Sequence, residues 1–561
     1  MIGYALLGKK WYEVLAGFIK ASVGYMILSV GSSGLINVFR PVIVGLKGRF
    51  NLSAMVIDPY FGNNAVDAGV KAAQAGDFSL ANVSFLKGAN ISQYMLLLLF
   101  AYILNIALVA AKKHTKLRSI FTTGNVQVQQ AATALWLIMF CFPGLVGVPA
   151  LIFMTIILGL YWAVGSNLTI GPTQELTDGA GFAIGHQQMF GIFLASKAAG
   201  WMSRRDEVRR AKNPGKTSVF DKKLEDIELP GWLSMFNENM VSTAILMTLF
   251  FGIIFIVIGP DYLIKLTSEG TLTGSAALVE GQSFVFYILY NCFQFAVYLT
   301  ILQLGVRTLV AELTVSFTGI SSKFLKGSVP GVDCAVTFGF GSNNAVTLGF
   351  MAGAVGQFIA IGILLVTKSP VLVVAGFIPL FFDNAVLGVY ANNKGGLKAC
   401  LIIPFICGLC QVFGSALIAS WVQMYAFGGY LGMFDWATVW PLFTVIMKYL
   451  GWIGAVIVIA FLVIIPQLQY KSAPKDENGN SAYFLEVEDY EKYAEYRDAA
   501  ERQAVAKAEG KQATPPVRMV PSGRQHGLRL SAALPLSSQD AAFVRKAKGR
   551  KNGSKDSVRV R

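Results

Sequence analysis

The stretch "GPTQELTDGAGFAIGHQQMF" at Gly171–Phe190 concentrates hydrogen-bonding side chains beside an apolar run. Gln174, Glu175 and Asp178 come first, then His186, Gln187 and Gln188, with no Lys or Arg among them. Amides and a neutral imidazole supply both donors and acceptors. That mixture suits a polyhydroxylated ligand, because each hydroxyl that leaves water needs a new partner. A second polar stretch, "TGNVQVQQA" at Thr123–Ala131, stands just before an apolar run. A third pattern occurs twice. "IDPYFGNNAV" at Ile57–Val66 and "VDCAVTFGFGSNNAV" at Val332–Val346 each place an aspartate, Asp58 or Asp333, ahead of Asn-Asn-Ala-Val. The spacing differs between the two copies. Paired polar, glycine-rich breaks of this kind are expected where two related halves of a transporter meet around one site near the membrane midplane.

Enzymatic chemistry finds little support. The three histidines are His114 beside lysines, His186, and His526 near the end of the chain. No HExxH zinc motif and no phosphate-binding glycine-lysine loop is present. Cys407 and Cys410 have CxxC spacing, but in an apolar segment without a cation to favour a thiolate. The six cysteines read as ordinary membrane-helix residues, and the reading calls for no cofactor and no metal.

The elements that must position these groups are apolar helices. Of 561 residues, 54% are hydrophobic and 14% charged, far from the balance of a soluble chain. Runs close to the length of a membrane-crossing helix include Tyr94–Ala111, Ala131–Ala150, Val241–Gly259 and Phe284–Val306. Ala345–Thr367, Pro370–Ala391, Leu397–Trp421 and Trp440–Leu468 follow. With weaker early runs, about ten to eleven crossings are expected in an all-α polytopic membrane protein. Gly349, Gly353 and Gly356 are spaced for close helix packing.

The net charge of +15 is clustered. Arg204, Arg205, Arg209, Arg210, Lys212, Lys216, Lys222 and Lys223 fill one loop, which the positive-inside rule makes cytoplasmic. The same rule puts Asp261–Gln282 outside, Arg307 to Lys326 inside, Ala426–Thr438 outside, and Lys471 with everything after it inside. Nucleic-acid binding is a poor explanation of this charge. The permease body is expected over 1–469. A cytoplasmic tail over 470–561 reads as a solvated helix at Glu486–Lys511, then a disordered segment from Ala513. Its basic residues suit contact with anionic membrane lipid.

"LPGWLSMFNENMVSTAILMT" (Leu229–Thr248), "PTQELTDGAGFAIGHQQ" (Pro172–Gln188) and "GFIPLFFDNAVLGVYANNKGG" (Gly376–Gly396) closely resemble the ascorbate-specific IIC permease of the bacterial phosphotransferase system. The resemblance covers roughly Gly3–Leu468. It implies a homodimer in the bacterial inner membrane. Each protomer would have a core domain, a V-shaped dimerisation domain, re-entrant segments and two inverted structural repeats. It implies import of L-ascorbate by alternating access, with phosphorylation by a separate IIB protein supplied by IIA. Carried over motif by motif, the substrate contacts would be Gly31 and Ser32 in "VGSSG", Gln129 in "TGNVQVQQ", His186 and Gln187 in "GHQQ", and Asp333 in "VDCA". Ascorbate is an anion, so Asp333 either accepts from hydroxyls away from the charge or carries a proton.

Two positions depart from the family pattern. Asn125 stands where the family has His, keeping hydrogen bonding without a titratable proton, and Pro59 stands where Thr is expected. With these departures the resemblance implies ascorbate or a related sugar acid as the substrate. "IGYALLGKK" at Ile2–Lys10 is similar to the end of the family's first membrane helix, whose beginning would lie upstream of Met1. Two readings from other classes compete. One is an ion-coupled secondary transporter of a sugar acid or polyol, with Asp58, Asp333 and Glu312 as ion carriers. The other is a membrane anchor whose tail recruits partners.

Overall fold

A computed structural model describes residues 1–50, 54–89, 91–212, 222–227 and 239–508. Part of the basic loop, residues 229–238 of the first family-like stretch, and the tail from Ala513 lie outside them. Helices make up most of the described chain. Among the described residues, four helical segments are long and apolar enough to cross a membrane: Gly147–Thr177, Asn344–Val366, Ile378–Trp421 and Phe434–Ser472. A pair bent by 76°, Met247–Ile258 and Pro260–Ser268, makes a fifth if taken as one broken span. Leu96–Ala110 and Phe284–Tyr298 are shorter apolar helices.

The helix Asn343–Val366 packs along Asn384–Trp421. Glycine makes that approach possible: a Cβ on Gly349 would lie 2.6 Å from the Cα of Gly388. The second of these helices breaks at Gly396, where φ is 65°. This break separates the two apolar runs that the sequence distinguishes on either side of "NNKGG".

Between the helices lie two small parallel sheets, an element that an all-α reading does not contain. Strands β1 (Ala54–Ile57), β2 (Ser119–Phe121), β3 (Ala183–Ile184), β4 (Val329–Val332), β5 (Leu372–Ala375) and β6 (Gly429–Tyr430) form them. One sheet has the order β5-β1-β6 and the other β2-β4-β3. Exchanging β1 with β4, β2 with β5 and β3 with β6 turns one order into the other. In each sheet the central strand is followed directly by one of the repeated aspartates. Asp58 follows β1 and caps the helix Pro59–Ala75, accepting from the Tyr60 amide. Asp333 follows β4 and caps a short 3-10 helix, Cys334–Gly339, accepting from the Ala335 amide. That 3-10 helix accounts for the longer spacing of the second copy, whose Asn-Asn pair opens the next helix instead of lying within the first.

Met1–Val505 forms one compact unit, extending past Gln469, where the apolar body was expected to end. Ala506–Arg561 is the second unit, described only for the last residues of the helix Tyr490–Ala508.

Candidate functional site

The three strands of the β2-β4-β3 sheet run parallel, so their C-terminal ends lie on one side. Phe121 pairs with Gly331, and Ile184 with Val332. Glycine is required at 331, where a Cβ would collide with the Ser166 hydroxyl. Just past the strand ends, the Thr122 amide donates to the Gly331 carbonyl (2.9 Å) and the Gly185 amide to the Val332 carbonyl (2.8 Å). The chain leaves these strands into three polar turns, at 122–125, 185–188 and 333–335. Three of the polar stretches singled out in the sequence thus come together at the end of one sheet, while Ile57–Val66 follows the central strand of the other.

The geometry separates groups that hold one another from groups left for a ligand. Trp162 donates through Nε1 to Gln130 Oε1 (2.6 Å). Gln130 Nε2 donates to Gln187 Oε1 (2.9 Å) and to the His186 carbonyl (3.1 Å), and Gln187 Nε2 donates to Gln129 Oε1 (3.0 Å). Gln187 is fully buried and hydrogen-bonded at both ends of its amide, so it fixes Gln129. His186 Nδ1 meets Gln188 Oε1 at 2.6 Å. An amide oxygen can only accept, so in the neutral ring the proton sits on Nδ1 and Nε2 carries a lone pair. Nε2 faces Asp333 Oδ2 at 3.9 Å, beyond hydrogen-bond distance. Two acceptors side by side call for hydroxyl donors. Cys334 stands beside them: His186, Asp333 and Cys334 have ligand atoms within 4.8 Å of one another and are the described trio that could hold a metal ion. Buried polar atoms without a protein partner include Asn125 Oδ1, Thr123 Oγ1 and Gln188 Nε2.

The second sheet also contributes. The Tyr60 hydroxyl, two residues past Asp58, is directed at the amides of Asn125 and Gln129. Asp435, soon after β6, is buried and accepts from the Phe190 amide (3.0 Å), the Gly191 amide (3.0 Å) and the Tyr161 hydroxyl (2.8 Å). Its carboxylate complements the free amides at the start of the helix Met189–Lys212, and its own amide donates to the Gln187 carbonyl (3.4 Å), tying the segment after β6 to the GHQQ turn.

Of the residues expected from the sequence, Gln129, His186, Gln187 and Asp333 form one cluster, with Asn125 reached through Tyr60. Gly31 is buried on the helix Trp11–Phe50, which packs along Phe284–Phe324. The side chain of Ser32 lies outside the described residues. Glu312 meets Lys20 at 3.7 Å and the Tyr4 hydroxyl. Sequence reasoning missed Tyr60, Gln130, Trp162 and Asp435. Gln130 had a signal, as the second member of the Gln pair in "VQQA"; Asp435 had none, being a lone acid in a loop assigned by charge alone.

Comparison with known proteins gives this cluster a setting. The family described as PTS system sugar-specific permease component matches residues 1–458. An ascorbate-specific PTS system EIIC component of Mycoplasma pneumoniae is 33% identical over 438 residues, covering 73% of this chain. The match spans 62% of that protein's length, under two thirds of it. The family match takes in every strand of both sheets and every residue of the cluster, so the chain belongs to the sugar-specific permease components of the phosphotransferase system, a family of multi-pass membrane transport proteins.

Proposed function

We propose that the chain imports L-ascorbate, or a closely related sugar acid, for phosphorylation by a separate IIB protein charged by IIA. The observation that carries this is the pairing of His186 Nε2 with Asp333 Oδ2 as neighbouring acceptors, beside the amides of Gln129 and Asn125 and the Tyr60 hydroxyl. Such a site takes hydroxyl groups as donors and ring or carbonyl oxygens as acceptors. The relative in Mycoplasma pneumoniae is described as ascorbate-specific, which favours the same ligand here. Gly31 and Ser32 complete the site in this reading by approaching from the first long helix during the transport cycle.

The exchange relation between the two sheet orders supports two inverted halves. Each half would supply the central strand of one sheet and the two edges of the other. Alternating access then carries the polar turns, a unit braced by Asp435, past the long helices that make the dimer contact in the cytoplasmic membrane. The C-terminal segment lies on the cytoplasmic side. Uptake of labelled L-ascorbate in cells with and without the IIB protein tests the proposal. Accumulation of phosphorylated product only when IIB is present is expected; accumulation of free ascorbate driven by an ion gradient, without IIB, overturns it in favour of secondary transport.

A further inference from the structure

We infer that residues 473–493 form a strap that positions the candidate substrate site through the β2-β4-β3 sheet, fastened by Arg118 and Glu486; the ligand part of its test rests on the function proposed above. The family match ends at residue 458, so this segment is additional to the matched body. Its composition suggests a solvated appendage, yet Tyr483 and Glu486 are buried.

Arg118, directly before β2, is only 1% exposed. Its guanidinium meets the Glu486 carboxylate at 2.8 Å, hydrogen-bonds the Tyr483 carbonyl, and stacks 3.4 Å from the centre of the Tyr483 ring. The backbone of Arg118 belongs to the sheet: its carbonyl accepts from the Val329 amide at the start of β4 (2.9 Å). Its amide donates to Asn167 Oδ1 (2.9 Å), and Asn167 Nδ2 donates in turn to the Tyr483 hydroxyl (2.9 Å). That hydroxyl donates to the Lys116 carbonyl (2.8 Å). Val487 packs on Ile170, Ala183 and Val329, the last two at the starts of β3 and β4.

The strap therefore grips the N-terminal ends of all three strands whose C-terminal ends lead to Asn125, His186 and Asp333. The strands have only two to four residues. So short a sheet depends on what packs around it. Within it, strand position is transmitted directly by the ladder bonds. A charged pair withdrawn from water fixes one arrangement, because losing either partner strands a buried charge. Arg118 and Glu486 are positioning residues in this account, since neither touches the site.

The test uses the full chain: parent, Glu486→Gln and Tyr483→Phe. Tyr483→Phe keeps the ring on Arg118 and removes only the hydroxyl between Asn167 and Lys116, so it serves if Glu486→Gln does not fold. Peptide-resolved hydrogen exchange and L-ascorbate affinity are measured on each. In a folded variant, exchange at 185–188 and 333–337 is expected to rise about fivefold or more, and affinity to fall about tenfold. Faster exchange confined to 473–493 and 112–118, with the site turns at the parental rate, overturns the strap whatever the affinity does. A parent that binds no ascorbate, while the site turns respond to the variants, rejects the ligand and upholds the positioning role.

Discussion

The repeated aspartates offer a direct test of what the site does, because the two carboxylates are engaged differently. Asp58 accepts from the Tyr60 amide through Oδ1 (3.0 Å) and from the backbone amides of Phe61 and Ile378, so it serves the start of the next helix and the segment after β5. Asp333 accepts from the Ala335 amide through Oδ1 (2.9 Å), and its Oδ2 faces His186 across 3.9 Å. Asparagine at 333 can keep the Ala335 bond and turns its NH2 towards His186. A ligand hydroxyl then loses a charged acceptor, a loss of about 1.5–3 kcal/mol, or roughly tenfold to 150-fold in Kd. Asparagine at 58 leaves one buried amide without an acceptor, costing about 1–3 kcal/mol of stability with little change in affinity. Ascorbate titration and thermal unfolding of both purified variants measure the two quantities separately. An affinity loss confined to Asp58→Asn refutes the assignment. Unchanged affinity in Asp333→Asn refutes the carboxylate acceptor and means that the group is protonated when ligand binds.

His186→Ala and Gln187→Ala are each expected to weaken ascorbate binding at least about tenfold, the first by removing an acceptor and the second by releasing Gln129; parental affinity in both moves the site elsewhere. Asp435→Ala removes the acceptor of two backbone amides and the Tyr161 hydroxyl, and is expected to lower stability by about 3–5 kcal/mol; a melting temperature equal to the parent's contradicts the bracing role. Deleting residues 513–561, outside the family match, should leave uptake unchanged at matched expression; a large loss makes that segment a docking element.

The late long helices were legible because apolar length is a strong signal that needs no tertiary information, but the run expected at Ala131–Ala150 crosses a break, one helix ending at Cys141 and the next, Gly147–Leu168, going unrecognised. The strands were not. β3 has two residues and β2 three, and β4 reads "VPGV", with a proline and a glycine that argue against a strand in isolation. Their pairing partners lie hundreds of residues away, as Ala54 with Leu372 shows. The polar turns could be found because His, Gln and Asn stand out against an apolar background. Which of their groups face a ligand could not, since Gln187 and Gln129 look equivalent until the bonds to Gln130 are seen. The C-terminal segment misled for a related reason. Its charges match a solvated helix, and Arg118 looks like one more basic residue after Lys112, Lys113 and Lys116.

The sheet orders also bear on how such a site can be assembled at all. β4, from late in the chain, lies between β2 and β3 from its first third, while β1 lies between β5 and β6. Neither sheet can close until both parts of the chain are present. A turn such as 185–188 would otherwise leave buried amides without partners in an apolar environment, which is costly. The cluster is therefore held by contacts that span the chain: Asp435 to Phe190, Gly331 to Thr122, and Glu486 to Arg118. These bonds have high sequence separation, so loop-closure entropy must be met before they form. The same dependence explains why His186 and Asp333 sit just past strand ends, while Asn125, Gln129 and Gln130 occupy the first turns of the helix Gly124–Cys141 that follows β2. A turn fixed by a strand ladder on one side and a helix start on the other can present acceptors such as His186 Nε2 and Asp333 Oδ2 without surrendering them to its own backbone.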